Sequence, residues 1–159
     1  MTAKELMKQC EAEEKELKFR EFSSETALAI GMALIEEAKK RDNKICIDIA
    51  IAGRRLFHYS SDGNAVSNDI MIERKKKTAM HTGHSSLWAH YMLEDCGMNI
   101  KEKWALEPSE YAQVGGAFPI RLENCQTVIG TITCSGFNHE QDHLSLIHIS
   151  EPTRLGMIS

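Results

Sequence analysis

Near the end of the chain, His139-Glu140-Gln141-Asp142-His143 spells H-E-x-x-H, a pattern in which two histidines one helical turn apart hold zinc and the glutamate activates water. In such enzymes the pattern lies well inside a helix and a third ligand follows it. Here Asn138 is a good helix cap, and Glu140, Gln141 and Asp142 place acceptors and negative charge in a first turn, so capping a terminal helix is the expectation and metal binding the rival. Ser85, Ser86 and Ser135 could act as nucleophiles beside a histidine, but no nucleophile-elbow or triad pattern surrounds them, which favours capping and hydrogen-bonding roles. Five cysteines, Cys10, Cys46, Cys96, Cys125 and Cys134, are scattered without a C-x-x-C. They read as reduced thiols rather than a disulfide framework, and redox sensing would need an exposed thiol of low pKa among them. The basic run Arg74-Lys75-Lys76-Lys77 is either the solvated face of a helix or, through one of its cations, a contact to an anionic ligand.

A formal net charge of −4 leaves no electrostatic footprint for nucleic acid. The opening segment is dense in Lys and Glu, with no signal-type apolar core, and no stretch is long and apolar enough to span a bilayer, so a cytoplasmic protein without membrane contact is expected. Residues Leu144 to Arg154, LSLIHISEPTR, read as a translated sequencing adapter, followed by index-like Leu155-Gly156-Met157 and the start of a further adapter segment at Ile158-Ser159. Residues 144–159 are therefore expected to be a non-native tail replacing the native sequence after His143, and residues 1–143 a single domain whose first twenty residues form an N-terminal helix. Leu144, Leu146, Ile147 and Ile149 are nonetheless apolar enough to collapse onto a sheet.

The elements that must position these residues follow from periodicity. Leu6, Cys10, Glu13 and Leu17 draw a thin stripe along the first helix, suited to an edge or a subunit contact. Ser23 or Ser24 caps a core helix whose inner face is Ala27, Ile30, Gly31, Leu34, Ile35 and Ala38. A strand over Lys44–Ile51 aligns Ile45, Ile47, Ile49 and Ile51, and Gly53-Arg54 turns it into a return strand over 55–60. A long helix runs from Asn68 to about Leu93, with a weak point near Gly83, and an irregular packed connection spans 97–108. Gly115-Gly116 opens the second hairpin, as a plain loop leading into a strand or one facing a ligand, with Phe118 at its mouth. Strands follow at Ile120–Glu123 and Val128–Cys134 around a turn at 123–126. Two hairpins separated by a helix give an α/β (α+β) fold, an antiparallel sheet of about four to five strands with flanking helices.

Taken together, IDIAIAGRRLFHYSSDG, SNDIMIERKKKT with Ser85-Ser86 beyond it, YAQVGGAFPI and GTITCSGFNHEQDH resemble the haem-degrading-domain family of GlcG/HbpS-like proteins, specifically its cytosolic uncharacterised branch. The resemblance covers about Phe22 to His143. Where the branch has Asp-Asn and Trp-Ile at the start of the long helix, this chain has Ser67-Asn68 and Met71-Ile72. The resemblance implies a PAS- or profilin-like α/β/α layout, a homo-oligomer and a small anionic ligand such as haem or a related tetrapyrrole. It places a cofactor pocket at Asn68, Arg74, Lys75, Gly115, Gly116, Phe118, Ser135 and Gly136. A haem would also need an axial ligand in an apolar pocket with cations near its propionates, for which His58, His81 and His84 are the candidates. No catalytic residue follows from this reading, and the rival function is a non-catalytic assembly or stress-linked adaptor.

Overall fold

Helix α1 (Ala3–Glu16) begins at Thr2 with a reciprocal capping box to Glu5. Ser23 does the same for α2 (Ser24–Lys40) with Thr26. These and the elements that follow come from a computed structural model, which describes residues 1–136 and 138–154. Strands β1 (Cys46–Ile51) and β2 (Arg54–Ser60) come next, then helices α3 (Val66–Thr82), α4 (Ser86–Cys96) and α5 (Ile100–Trp104), strands β3 (Ala117–Ile120) and β4 (Gly130–Ser135), and α6 (His139–Arg154). The four strands form one antiparallel sheet in the order β2-β1-β4-β3, so the first and last strands of the chain lie side by side at its centre.

The two faces of that sheet differ in chemistry. Paired residues share a face, so the registers place Ile47, Ile49, Phe118, Ile120 and Ile132 on one side. There they pack with Ala27, Ile30, Leu34, Ile35 and Ala38 of α2 and with Leu146 and Ile149 of α6. Cys46, Asp48, His58, Thr131, Thr133 and Ser135 lie on the other side, under α3. The inner face of α3 is correspondingly mixed, burying Lys75 and Thr78 along with Ile72 and Ala79. One layer is dry and the other is a buried polar network, which must satisfy itself internally.

The fold class stands as expected, as does the buried face of α2, residue for residue. The long helix is two helices. Gly83 adopts φ 73°, ends α3 through its N–H to the Ala79 carbonyl, and Ser85 caps α4 through the Trp88 N–H. The short α5 lies in what reads as irregular chain, started by an Asn99–Glu102 capping box too local to give a hydrophobic period. The first hairpin turns at Ala52-Gly53, both in the left-handed region, one residue earlier than expected. Strand β4 starts at Gly130, and β3 ends at Ile120, leaving Leu122 in an isolated bridge to Phe19. Helix α1 packs on α4 through Met7, Cys10, Leu87, Trp88 and Tyr91. Residues 144–149 of the adapter-like segment continue α6, and Leu146 (1% exposed) is part of the core. Among the described residues no helix is long and apolar enough to cross a membrane.

Candidate functional site

Beneath α3 a chain of polar side chains crosses the sheet. Its anchor is Asp48, 0% exposed in the middle of β1. Lys76 Nζ stands 2.9 Å from its Oδ1, while Arg55 Nε donates to Oδ2 at 2.8 Å and His58 Nδ1 lies 3.6 Å from the same oxygen. Two cations against one buried carboxylate offset its desolvation. His58 leads onward, with Nε2 4.0 Å from Asp69 Oδ1, which accepts from the Cys46 thiol at 3.0 Å. Burial first, then the Asp69 carboxylate, push the Cys46 thiol up to about 12. Paired with Cys46 across the sheet is Ser135, whose Oγ meets Asn68 Oδ1 at 3.2 Å.

This polar band opens into a groove of about 510 Å³ lined by Lys44, Gly63, Asn64, Asn68, Ser135 and Gly136, among others. Three expected binding residues, Asn68, Ser135 and Gly136, thus share one concavity. The groove is rich in donors. Helix α3 starts at Ala65 with no side-chain cap, and the buried Asn64 Nδ2 has no hydrogen-bond partner. Lys44 Nζ, on the rim, donates to the Gly63 carbonyl at 3.1 Å. Asp42 also lines the groove and tempers its positive field. Gly136, at φ 154°, is required here because a Cβ would collide with the Lys44 carbonyl oxygen.

The other expected residues are occupied elsewhere. Lys75, 1% exposed, donates to the Cys134 carbonyl at 3.0 Å and pairs with Asp142 Oδ2 at 3.3 Å, joining α3 to α6. Gly116, at φ 130°, is pressed against that ammonium, 2.6 Å from where its Cβ would be, and a Cβ on Gly115 would collide with the His139 carbonyl oxygen. The glycine pair is a close-packed lead into β3, and Phe118 lies in the core near His143 rather than at a mouth. Arg74 donates to the Pro108 and Tyr111 carbonyls at 2.6 and 3.5 Å and so holds the connection before β3. His81 contacts the Tyr111 ring, and His84 stacks on Trp88 with Nδ1 2.8 Å from Glu14 Oε1. The three candidate axial histidines therefore have three separate surroundings, of which only that of His58 adjoins the groove.

A family model for haem degrading protein HbpS-like proteins matches residues 22–148. The chain belongs to the HbpS-like family. A UPF0303 protein of Streptomyces coelicolor is 34% identical over 141 residues, covering 89% of each chain, and one of Edwardsiella ictaluri is 35% identical over 91% of each. The crystal structure of Ybr137w protein superposes with a TM-score of 0.87 at 30% identity, covering 94% of this chain and 88% of that one. A crystal structure of a PduOC:heme complex shares the fold at 16% identity and TM-score 0.67, covering 83% and 94%.

The remaining chemistry-bearing residues of this HbpS-like chain have structural partners. Asn138 caps α6 through the Gln141 N–H at 2.9 Å. The H-E-x-x-H side chains diverge in their contacts: His143 Nε2 meets Glu13 Oε1 at 2.8 Å, whereas His139 Nδ1 accepts from the Gly115 N–H at 3.4 Å and its ring abuts His90. Ser85 caps α4, and Ser86 Oγ accepts from the Ala117 N–H at 2.9 Å. Two further groupings escaped the sequence reading, Cys46–His58–Asp69 and Cys10–Glu13–His143, whose candidate donor atoms lie within 4.8 Å of one another in each set. The first is assembled from β1, β2 and α3 and has no local spacing signature, and in the second Cys10 and Glu13 are neighbours on α1 but His143 comes from α6. Only the alternation in β1, which sets Cys46 and Asp48 opposite the isoleucines, hinted at the first.

Proposed function

We propose that the protein binds a small anionic ligand, with haem or a related tetrapyrrole as its class, in the groove between the start of β1, the start of α3 and the end of β4. The observation that carries this reading is the convergence there of Asn68, Ser135 and Gly136 with Lys44, the Asn64 Nδ2 left without a partner while its Oδ1 accepts from Asn68, and the start of α3 without a side-chain cap. These donors suit carboxylates such as propionates, with Lys44 taking the part expected of Arg74 and Lys75. Exposed Val66 and Ile70, one helical turn apart on α3, offer an apolar surface beside the start of that helix, and His58, which faces Asp69 next to the groove residue Asn68, is the candidate axial ligand. Membership of a haem-degrading family and the fold shared with the PduOC:heme complex favour this ligand class. Binding is what the groove accounts for; its serine meets an asparagine and not a base.

The test is a visible-absorption titration with haemin of the wild type and of single His58→Ala, His81→Ala, His84→Ala and Lys44→Glu variants. A saturable Soret shift that weakens at least about tenfold in His58→Ala and Lys44→Glu, and persists in the other two, is expected. A non-saturating change common to all five proteins, or loss confined to His81→Ala or His84→Ala, overturns the reading.

Self-association belongs to the same proposal. Leu28 and Met32, one turn apart on α2, are half exposed, as are Ile70 and Met80 on α3, and such apolar pairs suit contacts between copies of the chain. The same surfaces would serve the rival assembly or adaptor role, in which case haemin would leave both absorption and oligomeric mass unchanged.

A further inference from the structure

From Cys46, His58 and Asp69 we infer a second binding site, distinct in chemistry from the groove: a three-ligand centre for a divalent transition-metal ion of the zinc type, with its fourth position open. The donors are the Cys46 thiolate, His58 Nε2 and an Asp69 carboxylate oxygen, drawn from β1, β2 and α3 and all within 4.8 Å of one another. Around a tetrahedral ion with metal–sulfur and metal–nitrogen or –oxygen bonds of about 2.3 and 2.0–2.1 Å, ligand atoms stand roughly 3.3–3.6 Å apart. Cys46 Sγ to Asp69 Oδ1 is 3.0 Å and His58 Nε2 to the same oxygen is 4.0 Å, so the set brackets that spacing. His58 and Asp69 retain 34% and 39% side-chain exposure, which gives them room to adjust and gives an ion a way in.

The surroundings of the histidine argue for the same site. Asp48 lies 3.6 Å from Nδ1, on the opposite side of the imidazole from the other two donors. A carboxylate behind the ring is the usual outer partner of a metal-bound histidine and helps to orient it. Lys76 and Arg55 hold that carboxylate in place in turn. One soft, one borderline and one hard donor suit zinc or cobalt better than calcium or magnesium. Binding replaces the proton that the thiol now shares with Asp69, and that proton leaves to solvent. The Cys10–Glu13–His143 set is the weaker candidate, because its cysteine and histidine are both buried and the histidine already meets Glu13 at 2.8 Å.

The test titrates metal-free protein with Co²⁺ alone, using absorption as the readout. Saturable, stoichiometric binding is expected, with a thiolate-to-cobalt charge-transfer band and the intense visible bands of four-coordinate cobalt. Cys46→Ser should abolish the charge-transfer band. His58→Gln and Asp69→Asn should weaken binding by more than the about 10–100-fold typical of outer-sphere changes, while Cys10→Ser leaves it intact. Absence of a saturable band, its survival in Cys46→Ser, or its loss in Cys10→Ser would overturn the site. Should circular dichroism show Cys46→Ser unfolded, the two substitutions at part-exposed positions decide the matter. His58 is common to this centre and to the haemin proposal, so Lys44→Glu separates them: it removes no donor of the centre, and cobalt binding should persist in it whether or not haemin binding is lost.

Discussion

Four consecutive cations, Arg74 to Lys77, meet four different fates. Lys77 pairs at the surface with Glu110 at 3.6 Å, Lys76 faces Asp48, Arg74 holds two loop carbonyls, and Lys75 is sealed against Asp142. Removing one member of a buried pair strands the other charge, whereas an exposed pair contributes little. Lys75→Met should therefore cost roughly 3–5 kcal/mol in chemical denaturation and Lys77→Met at most about 1 kcal/mol. Equal small losses would show that the Lys75–Asp142 pair does not hold α3 to α6. The run looked like a solvated helix face because its period was visible and its partners were not: Asp142 lies 67 residues away. The same blindness left Gly115-Gly116 ambiguous. A glycine pair announces close approach, and only the folded chain shows that a carbonyl and an ammonium, rather than a ligand, make it.

At the level of elements, the strands and the apolar face of α2 were legible because a period of two or of 3.6 reports burial directly. The break between α3 and α4 and the helical nature of α5 depend on caps, which carry little periodic signal. The first turn of α6 shows what a cap-rich segment does once docked. His139 accepts from the Gly115 N–H through Nδ1, so it must be neutral there, and burial followed by the neighbouring His90 lowers its pKa from the ordinary 6.5. A base with a lowered folded-state pKa binds fewer protons folded than unfolded between the two values. Its contribution is thus fully present above about 6.5 and is lost as pH falls through the lowered folded value. His139→Gln keeps an acceptor for Gly115 and removes the titration. Urea midpoints at about pH 7.5 and about pH 5.5 should accordingly differ less in the variant than in the wild type. An unchanged difference would assign the acid sensitivity to other groups.

Across the whole molecule, the sheet separates an apolar layer toward α2 and α6 from a polar layer toward α3. The proposed groove and metal centre both lie on the polar side, where ion pairs with Arg55 and Lys76 offset the burial of the Asp48 carboxylate. The apolar side makes no such demand: hydrophobic side chains of suitable size can fill it without a unique sequence. Residues 144–149 extend α6 and put Leu146 and Ile149 against α2, and the family match runs through residue 148. Leu146 (1% exposed) and Leu144 (55% exposed) make an internal comparison within one helical turn. Leu146→Ala should destabilise by about 2–5 kcal/mol through lost burial and the cavity left behind, while Leu144→Ala should stay within about 0.5 kcal/mol. Thermal or urea unfolding measures both. If the two variants melt alike, the extension of α6 does not close the apolar layer, and α2 must be covered on that side by another surface, for which a second copy of the chain is the first candidate to test by mass in solution.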